Sequence, residues 1–119
     1  MEYSLDLNPR PFKAIKNGTK KIEGRIPIDN DKNIPFNKIK KGDIITFTNN
    51  FNNEKMKVQV LGIKHYSTFK EMLESEGTER VLSSKGNVEE GIKSYESLSG
   101  YKEGIKKHGV YAIEIEKIK

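Results

Sequence analysis

The amino-acid sequence predicts an α+β fold, in which a partly closed mixed β-barrel of about five to six strands is flanked by short helices. The first observation is the order of the elements, which runs strand, helix, strand, hairpin, helices and strand. The second is the length of 119 residues, which fits one domain, 1–119, and leaves no room for a second full core. The third is that the strands are short and unevenly spaced. Such strands curl into a barrel more readily than they form a doubly wound sheet.

The N-terminal elements are predicted from alternation and from turn residues. Apolar and polar residues alternate over 3–7, as in a strand with one buried face. Asn8 can cap a short helix whose first turn accommodates the prolines that follow, and Asn17-Gly18 is typical of a helix C-terminus. A second strand is predicted over 20–26, and a polar loop over 27–40.

A β-hairpin is predicted in the middle of the chain. Lys41-Gly42-Asp43 forms a turn before the strand 44–48, and the return strand runs from about 56 to 66. The connection, 49–53, contains four asparagines, which tolerate the left-handed backbone of tight turns. Phe51 lies among them, and an exposed aromatic residue at this position would suit a contact surface.

The C-terminal half is predicted to be mostly helical. Ser67 or Thr68 can cap one helix, and Asn87 can start a second. A third helical piece is predicted over 101–107. The chain then ends in a strand, 110–116, with its isoleucines inward and its glutamates outward.

The charge balance indicates an anionic ligand. The net charge is +5, from 22 basic and 17 acidic residues, and such a balance favours RNA or acidic metabolites. A solvated lysine surface is an equally good explanation of the same excess. Because the basic residues concentrate in the N-terminal half, any anion-binding face is expected there. They include Arg10, Lys13, Lys16, Lys20, Lys21, Arg25, Lys38, Lys40 and Lys41.

Composition also excludes several classes of function. The chain has no cysteine, which excludes disulfides, zinc knuckles and thiol catalysis and fits a reducing compartment. It has no apolar run long enough to span a bilayer, and its first residues do not form a secretory signal. We therefore expect a cytoplasmic protein with no membrane partner. His65 and His108 have no partner at metal-ligand spacing, so we expect neither a metal nor another cofactor.

The segment 18–25, Gly-Thr-Lys-Lys-Ile-Glu-Gly-Arg, contains the residues best suited to chemistry. On a strand, Lys21, Glu23 and Arg25 point to one face, and Lys20 at the preceding turn can reach the same side. Arg25 can offer a planar fork to a phosphate or a carboxylate, or fix Glu23 by a paired hydrogen bond. Glu23 can accept from a ligand amine or act as a base. The alternative is a solvated strand with alternating charges.

Four of these residues, Gly18, Lys20, Glu23 and Arg25, fit the pattern Gly-x-Lys-x-x-Glu-x-Arg. On this motif the chain resembles the activating-signal-cointegrator homology (ASCH) domain family. Further family-like segments follow in order and cover nearly the whole chain. They are Pro9-x-Pro11-Phe12-x-x-Ile15, Lys41-Gly42-Asp43-Ile44-Ile45-x-Phe47, Ser67-x-Phe69-x-x-Met72-Leu73 and Gly109-Val110-x-Ala112-Ile113.

The resemblance implies a PUA-like fold with a cleft beside the first helix and the motif strand. It implies RNA or a nucleotide-like small molecule as the ligand. Some members resemble amidohydrolases that deacetylate N4-acetylcytidine with a lysine, a threonine and a glutamate, and others are ribonucleases. Lys20 falls on that lysine, but Glu23 stands where the threonine is expected, which puts the covalent threonine route in doubt.

Three alternative functions are therefore expected, in this order of preference: a domain that binds RNA or a nucleotide-like ligand, a hydrolase of modified nucleosides or RNA, and a protein-interaction module that uses Phe51. Lys20 and Glu23 would be the catalytic residues if the chain is an enzyme. The residues expected to contact the ligand are Gly18, Lys20, Lys21, Glu23, Arg25, Arg10, Lys13 and Lys41.

Overall fold

The computed structural model describes residues 1–83 and 86–118, which form five strands, five helices and two 3-10 turns. None of the helices in these ranges is long and apolar enough to cross a bilayer. The strands are β1 (Glu2–Leu7), β2 (Ile22–Arg25), β3 (Ile44–Asn49), β4 (Lys55–Tyr66) and β5 (Val110–Lys117). The helices are α1 (Pro9–Lys16), α2 (Phe69–Glu76), α3 (Thr78–Val81), α4 (Val88–Glu96) and α5 (Tyr101–His108).

The five strands form one mixed sheet in the order β1-β3-β4-β5-β2. Strand β1 runs parallel to β3, and the other neighbours are antiparallel. The long strand β4 pairs with both β3 and β5, and its register with β5 shifts between Val60 and Gly62. A bulge of this kind bends a strand and increases its twist. The sheet is therefore a half-barrel with flanking helices, and the predicted α+β, PUA-like fold class is confirmed.

Strands β1 and β2 are the two edges of the sheet, and a side chain connects them. The Arg25 guanidinium, at the end of β2, donates from Nη2 to the backbone carbonyl oxygen of Asp6 in β1 at 2.5 Å. This hydrogen bond spans the open seam of the half-barrel. The polar residues of β2 thus lie where the sheet would otherwise be open.

Two apolar cores lie on opposite sides of β5. One is enclosed by α1 and the inward faces of β1, β3, β4 and β5, and it contains Phe12, Phe47 and Ile113. The other lies under α2 to α5, where Ala112 of β5 and Met72 of α2 are buried. Because successive residues of a strand face opposite ways, β5 contributes to both cores.

Most elements agree with the pattern of the sequence. The hairpin forms between β3 and β4, and Thr68 caps α2 by accepting from the Glu71 backbone N–H at 3.1 Å. Asn87 caps α4 in a reciprocal capping box with Glu90. Asn8 precedes α1 as expected, but its side chain makes no cap and accepts from Asn50 Nδ2 at 2.7 Å instead.

Three local details of the structure differ from or add to what the sequence predicted. Strand β2 begins at Ile22 because the backbone N–H of Lys20 donates to Ala14 and that of Lys21 to Arg80, outside the sheet. The predicted loop over 27–40 contains the two 3-10 turns, Asp29–Asp31 and Phe36–Lys38. The helix α3 was not predicted, since four residues are too few to show helical periodicity.

We expect Gly109→Ala to lower the free energy of unfolding by about 2 kcal/mol, measured by chemical denaturation. Gly109 has φ 67° and ψ −160°, a conformation that is essentially limited to glycine. An added Cβ would also lie 2.5 Å from both His65 Nε2 and the Tyr66 carbonyl oxygen. The matched control is Gly62→Ala in β4, where no atom lies within 4 Å of the added Cβ and we expect less than about 1 kcal/mol. Equal effects would contradict the described backbone at Gly109.

Candidate functional site

A cleft of about 300 Å³ opens between the two cores, beside the first helix and the motif strand. Its floor is formed by side chains of Lys20, Glu23 and Arg25. One wall comes from the end of β1 and the start of α1, and the opposite wall from residues of α3 to α5 and the segments between them. The cleft therefore lies where the half-barrel seam meets the helical layer.

The floor of the cleft belongs to a charge cluster, which we define as Lys20, Glu23, Arg25 and Asp31; Asp31 is half-buried and lies beside the cleft, next to Arg25. The first three residues are only 5%, 6% and 8% exposed. Glu23 holds both cations: Oε1 lies 3.3 Å from Lys20 Nζ, and Oε2 accepts from Arg25 Nε at 2.6 Å. Arg25 Nη1 donates to Asp31 Oδ2 at 2.8 Å. Two cations and two carboxylates thus neutralise one another at the base of the cleft.

The turn after α1 directs Lys20 into this cluster. Gly18 adopts φ +86°, which a glycine tolerates without strain, and the backbone N–H of Lys20 donates to the Ala14 carbonyl oxygen. Lys20 is therefore not yet part of the extended strand, and its side chain turns inward to donate to the carbonyl oxygen of Val81. Lys21 follows with an exposed side chain. Strand alternation alone would have placed Lys21, rather than Lys20, beside Glu23.

Burial and charge pairing shift the pKa values of this cluster in opposite ways. Burial lowers the pKa of Lys20, and the nearby Glu23 carboxylate only partly offsets that effect. Burial alone would raise the pKa of Glu23, but the charges of Lys20 and Arg25 outweigh it and hold this pKa below its ordinary value. For Arg25, the carboxylates of Glu23 and Asp31 outweigh burial and raise the pKa. Glu23 and Arg25 are therefore ionised at neutral pH.

Aromatic side chains form the wall that faces the charge cluster. Tyr95 of α4 and Tyr101 of α5 line the cleft, and each packs parallel to Phe69, with ring centroids 4.9 and 6.3 Å from it. The Tyr95 hydroxyl lies against Gly24, where an added Cβ would be only 2.7 Å from it. Burial raises the pKa of Tyr101 to about 12, and it also raises the pKa of Tyr95. Both tyrosines therefore stay neutral at physiological pH and can form hydrogen bonds through their hydroxyl groups.

The family model of the ASCH domain matches residues 5–119, which is nearly the whole chain. The chain belongs to the ASCH domain family. Its Gly-x-Lys-x-x-Glu-x-Arg motif supplies Lys20, Glu23 and Arg25, which form the floor of the cleft.

Two solved structures resemble this ASCH domain over their full length. The crystal structure of hypothetical protein PH0355 is 44% identical, with a TM-score of 0.81, and the match covers 99% of this chain and 100% of that one. The solution NMR structure of protein PF0455 from Pyrococcus furiosus is 40% identical, with a TM-score of 0.74, and the match covers 100% of this chain and 99% of that one. None of the curated proteins compared with the chain matches it.

The structure brings only some of the predicted ligand residues together. Lys20, Glu23 and Arg25 meet at the floor of the ASCH cleft, and the exposed Arg10 lies on its wall. The other four predicted residues do not line the cleft; they are Gly18, Lys21, Lys13 and Lys41. Gly18 forms the turn that directs Lys20 into the cleft, and Lys13 lies on α1 one helical turn after Arg10.

Several residues of the ASCH cleft and of the charge cluster beside it were not predicted from the sequence. Asp31 pairs with Arg25 from a 3-10 turn, within a segment that the sequence indicated only as a polar loop. Tyr101 was considered as an aromatic residue able to stack on a base and as part of a helix, but not as a neighbour of the motif, and Asn8 and Asn50 were predicted only as cap and turn residues. A fixed sequence spacing does not relate these residues to the motif, so no local signal could have found them. In residues 1–83 and 86–118, no cluster of histidine, aspartate and glutamate could hold a metal ion.

We expect Glu23→Gln to lower the free energy of unfolding of this ASCH domain by about 3–5 kcal/mol, because it leaves two buried cations with one carboxylate. The matched control is Glu54→Gln, which removes a surface ion pair between Glu54 and Lys16 at 2.5 Å and should cost about 1 kcal/mol or less. Denaturant titration of both variants at neutral pH measures the difference. A Glu23 variant as stable as the Glu54 variant would refute the buried pairing.

The acid limb of the stability curve should also depend on Glu23. Its pKa is lower in the folded chain than its ordinary value of 4.5, so the unfolded chain binds the proton first on acidification. The stabilisation from Glu23 is then complete above about pH 5 and is lost as the pH falls through its folded pKa. We expect urea titrations between pH 3 and 6 to show a shallower acid loss in Glu23→Gln than in the wild type. Parallel curves would contradict the lowered pKa.

Proposed function

We propose that this ASCH domain binds RNA or a nucleotide-like ligand and takes one nucleotide into the cleft. The observation that carries the proposal is the buried Lys20–Glu23 pair at the floor, opposite the Tyr95–Tyr101 wall. Ligand pockets combine apolar or aromatic walls with a few fixed polar groups in this way. A volume of about 300 Å³ is at the small end of such pockets and suits a nucleoside better than a larger cofactor.

The polar floor can read the edge of a nucleobase. An ammonium has three donors. Lys20 directs one to the Val81 carbonyl oxygen and one to Glu23, which leaves the third for a carbonyl oxygen or ring nitrogen of the base. Each oxygen of the ionised Glu23 retains a lone pair, which can accept from an exocyclic amine. A donor beside an acceptor is the pattern that hydrogen-bonded recognition of a base edge requires.

The phosphate of the ligand is assigned to Arg10. Arg25 is committed to Glu23, Asp31 and the Asp6 carbonyl oxygen, so it has little capacity for an additional anion. Arg10 is exposed on the first turn of α1 and lines the cleft. A guanidinium at that place can form a bidentate pair with a phosphate. Charge attraction and base recognition are thus carried by different residues.

A hydrolase acting on a modified nucleoside or on RNA is the second candidate. It is favoured by Lys20, a buried amine with a lowered pKa beside a carboxylate, which is the arrangement used for proton transfer. The Thr19 hydroxyl lies outside the cleft lining, 2.8 Å from Asn17 Oδ1 and 3.2 Å from the Ala14 carbonyl oxygen, either of which can accept its single proton. Within residues 1–83 and 86–118, the serine hydroxyls available in the cleft lining are those of Ser83 and Ser94.

Binding of the four ribonucleoside 5′-monophosphates, followed by NMR titration at low salt, tests the proposal. We expect at least one to bind and Lys20→Met to weaken it about tenfold or more, since a charged hydrogen bond is lost. The neighbouring Lys21→Met is the matched control and should leave affinity unchanged, because Lys21 is exposed outside the cleft.

A further variant, at an exposed residue, protects the test against misfolding. Arg10→Ala changes an exposed side chain, and we expect it to weaken the nucleotide but not the corresponding nucleoside. No binding of any monophosphate at millimolar concentration would refute the proposal. Incubation with N4-acetylcytidine and with mixed RNA separates the second candidate: turnover that Lys20→Met abolishes supports the hydrolase, and binding without turnover excludes it for these substrates.

A further inference from the structure

Phe51 differs from every other phenylalanine of the chain. It is 82% exposed, whereas the other four are between 0% and 3% exposed. It lies in the turn between β3 and β4, among asparagines and away from both apolar cores. Exposing a large aromatic ring gains nothing for folding, since burial is the source of its stabilising effect.

The turn that carries Phe51 is held in one conformation by its own side chains. The buried Asn49 accepts from the backbone N–H of Phe51 at 2.9 Å through Oδ1, and its carbonyl oxygen accepts from the Asn53 N–H at 2.8 Å. Asn52 Oδ1 accepts from the Glu54 N–H at 2.9 Å, and Asn53 adopts φ 62°. The ring is therefore presented to solvent by an ordered turn.

This turn is fastened to α1 and to the rim of the cleft. The Asn50 backbone N–H donates to the Leu7 carbonyl oxygen, and its side chain donates to Asn8 at the start of α1. Glu54 pairs with Lys16 at the end of α1, at 2.5 Å. Because Leu7, Asn8 and Asn50 all line the cleft, Phe51 is the next residue after the cleft rim.

The adjacent face of α1 provides positive charge. Arg10 and Lys13 are exposed and three residues apart, which places their side chains next to each other on the helix. Within the ranges 1–83 and 86–118, neither side chain has an ion-pair partner. A chain of phosphates that leaves the cleft would pass these two cations beside the Phe51 turn.

We propose that Phe51 is a stacking platform for the base next to the nucleotide held in the cleft, so that the ligand is a single-stranded oligoribonucleotide. This inference rests on the proposed function and extends it from one nucleotide to at least two. Aromatic side chains beside a basic track are the usual means of binding single strands, because every base has a face that can stack.

The test compares two probes on the same variants. Fluorescence anisotropy with labelled homohexaribonucleotides of each base reports the extended ligand, and NMR titration with the monophosphates reports the cleft. We expect Phe51→Ala to weaken the hexanucleotide about tenfold and to leave monophosphate affinity unchanged. Phe51→Trp should retain binding, and Phe51→Leu should lose as much as alanine, since leucine is apolar but has no ring. All three variants should keep the thermal stability of the wild type.

The outcomes separate this inference from the one on which it rests. If no monophosphate binds the wild type, the proposed function fails and this inference fails with it. If monophosphates bind but Phe51→Ala leaves hexanucleotide affinity unchanged, only the stacking platform is refuted. Retained binding in Phe51→Leu would refute it too, because a general apolar contact would then be sufficient. A wild-type dimer that Phe51→Ala dissociates, seen by sedimentation, would assign the ring to a second copy of the chain instead.

Discussion

The structure depends on placing four charges together at the seam between the two edge strands. Removing Lys20, Glu23 and Arg25 almost entirely from water is costly, and only near-complete pairing and hydrogen bonding compensate for it. Here each charge has a partner: Glu23 contacts both cations, Asp31 takes the outer side of Arg25, and Val81 accepts from Lys20. The positions of β1, of α3 and of the 3-10 turn Asp29–Asp31 are therefore tied to this cluster, because these elements supply the Asp6 carbonyl oxygen, the Val81 carbonyl oxygen and the Asp31 carboxylate.

The same constraint explains why the fold and the cleft are linked. Arg25 reaches from β2 to the Asp6 carbonyl oxygen of β1 and so connects the edges of the half-barrel, while its other side faces the cleft. Because the cluster is neutral as a whole, it offers directed donors and acceptors and little net charge. Under the proposed function, attraction of a polyanion would depend on exposed residues such as Arg10. The basic N-terminal half thus divides into buried cations that organise the floor and exposed cations that line the approach.

Much of the fold could be predicted from the sequence because its signals are local. Alternation identified β3, β4 and β5, and Thr68 and Asn87 marked the start of α2 and α4. The site was only partly predictable. The motif identified Lys20, Glu23 and Arg25, but strand alternation placed Lys21 beside Glu23, whereas the turn at Gly18 places Lys20 there. Asp31 and Tyr101 enter through tertiary packing from segments with no fixed spacing to the motif, and sequence periodicity carries no information about such contacts.

We propose that the charge cluster both connects the edge strands of the half-barrel and forms the floor of a ligand site. A crystal structure with a bound ribonucleoside monophosphate tests it most directly. We expect the base to lie between the Tyr95–Tyr101 wall and the floor, with Lys20 Nζ donating to the ligand, Glu23 accepting from it, and the Arg25–Asp6 hydrogen bond intact. A nucleotide bound elsewhere, with Lys20 and Glu23 paired only to each other, would contradict it.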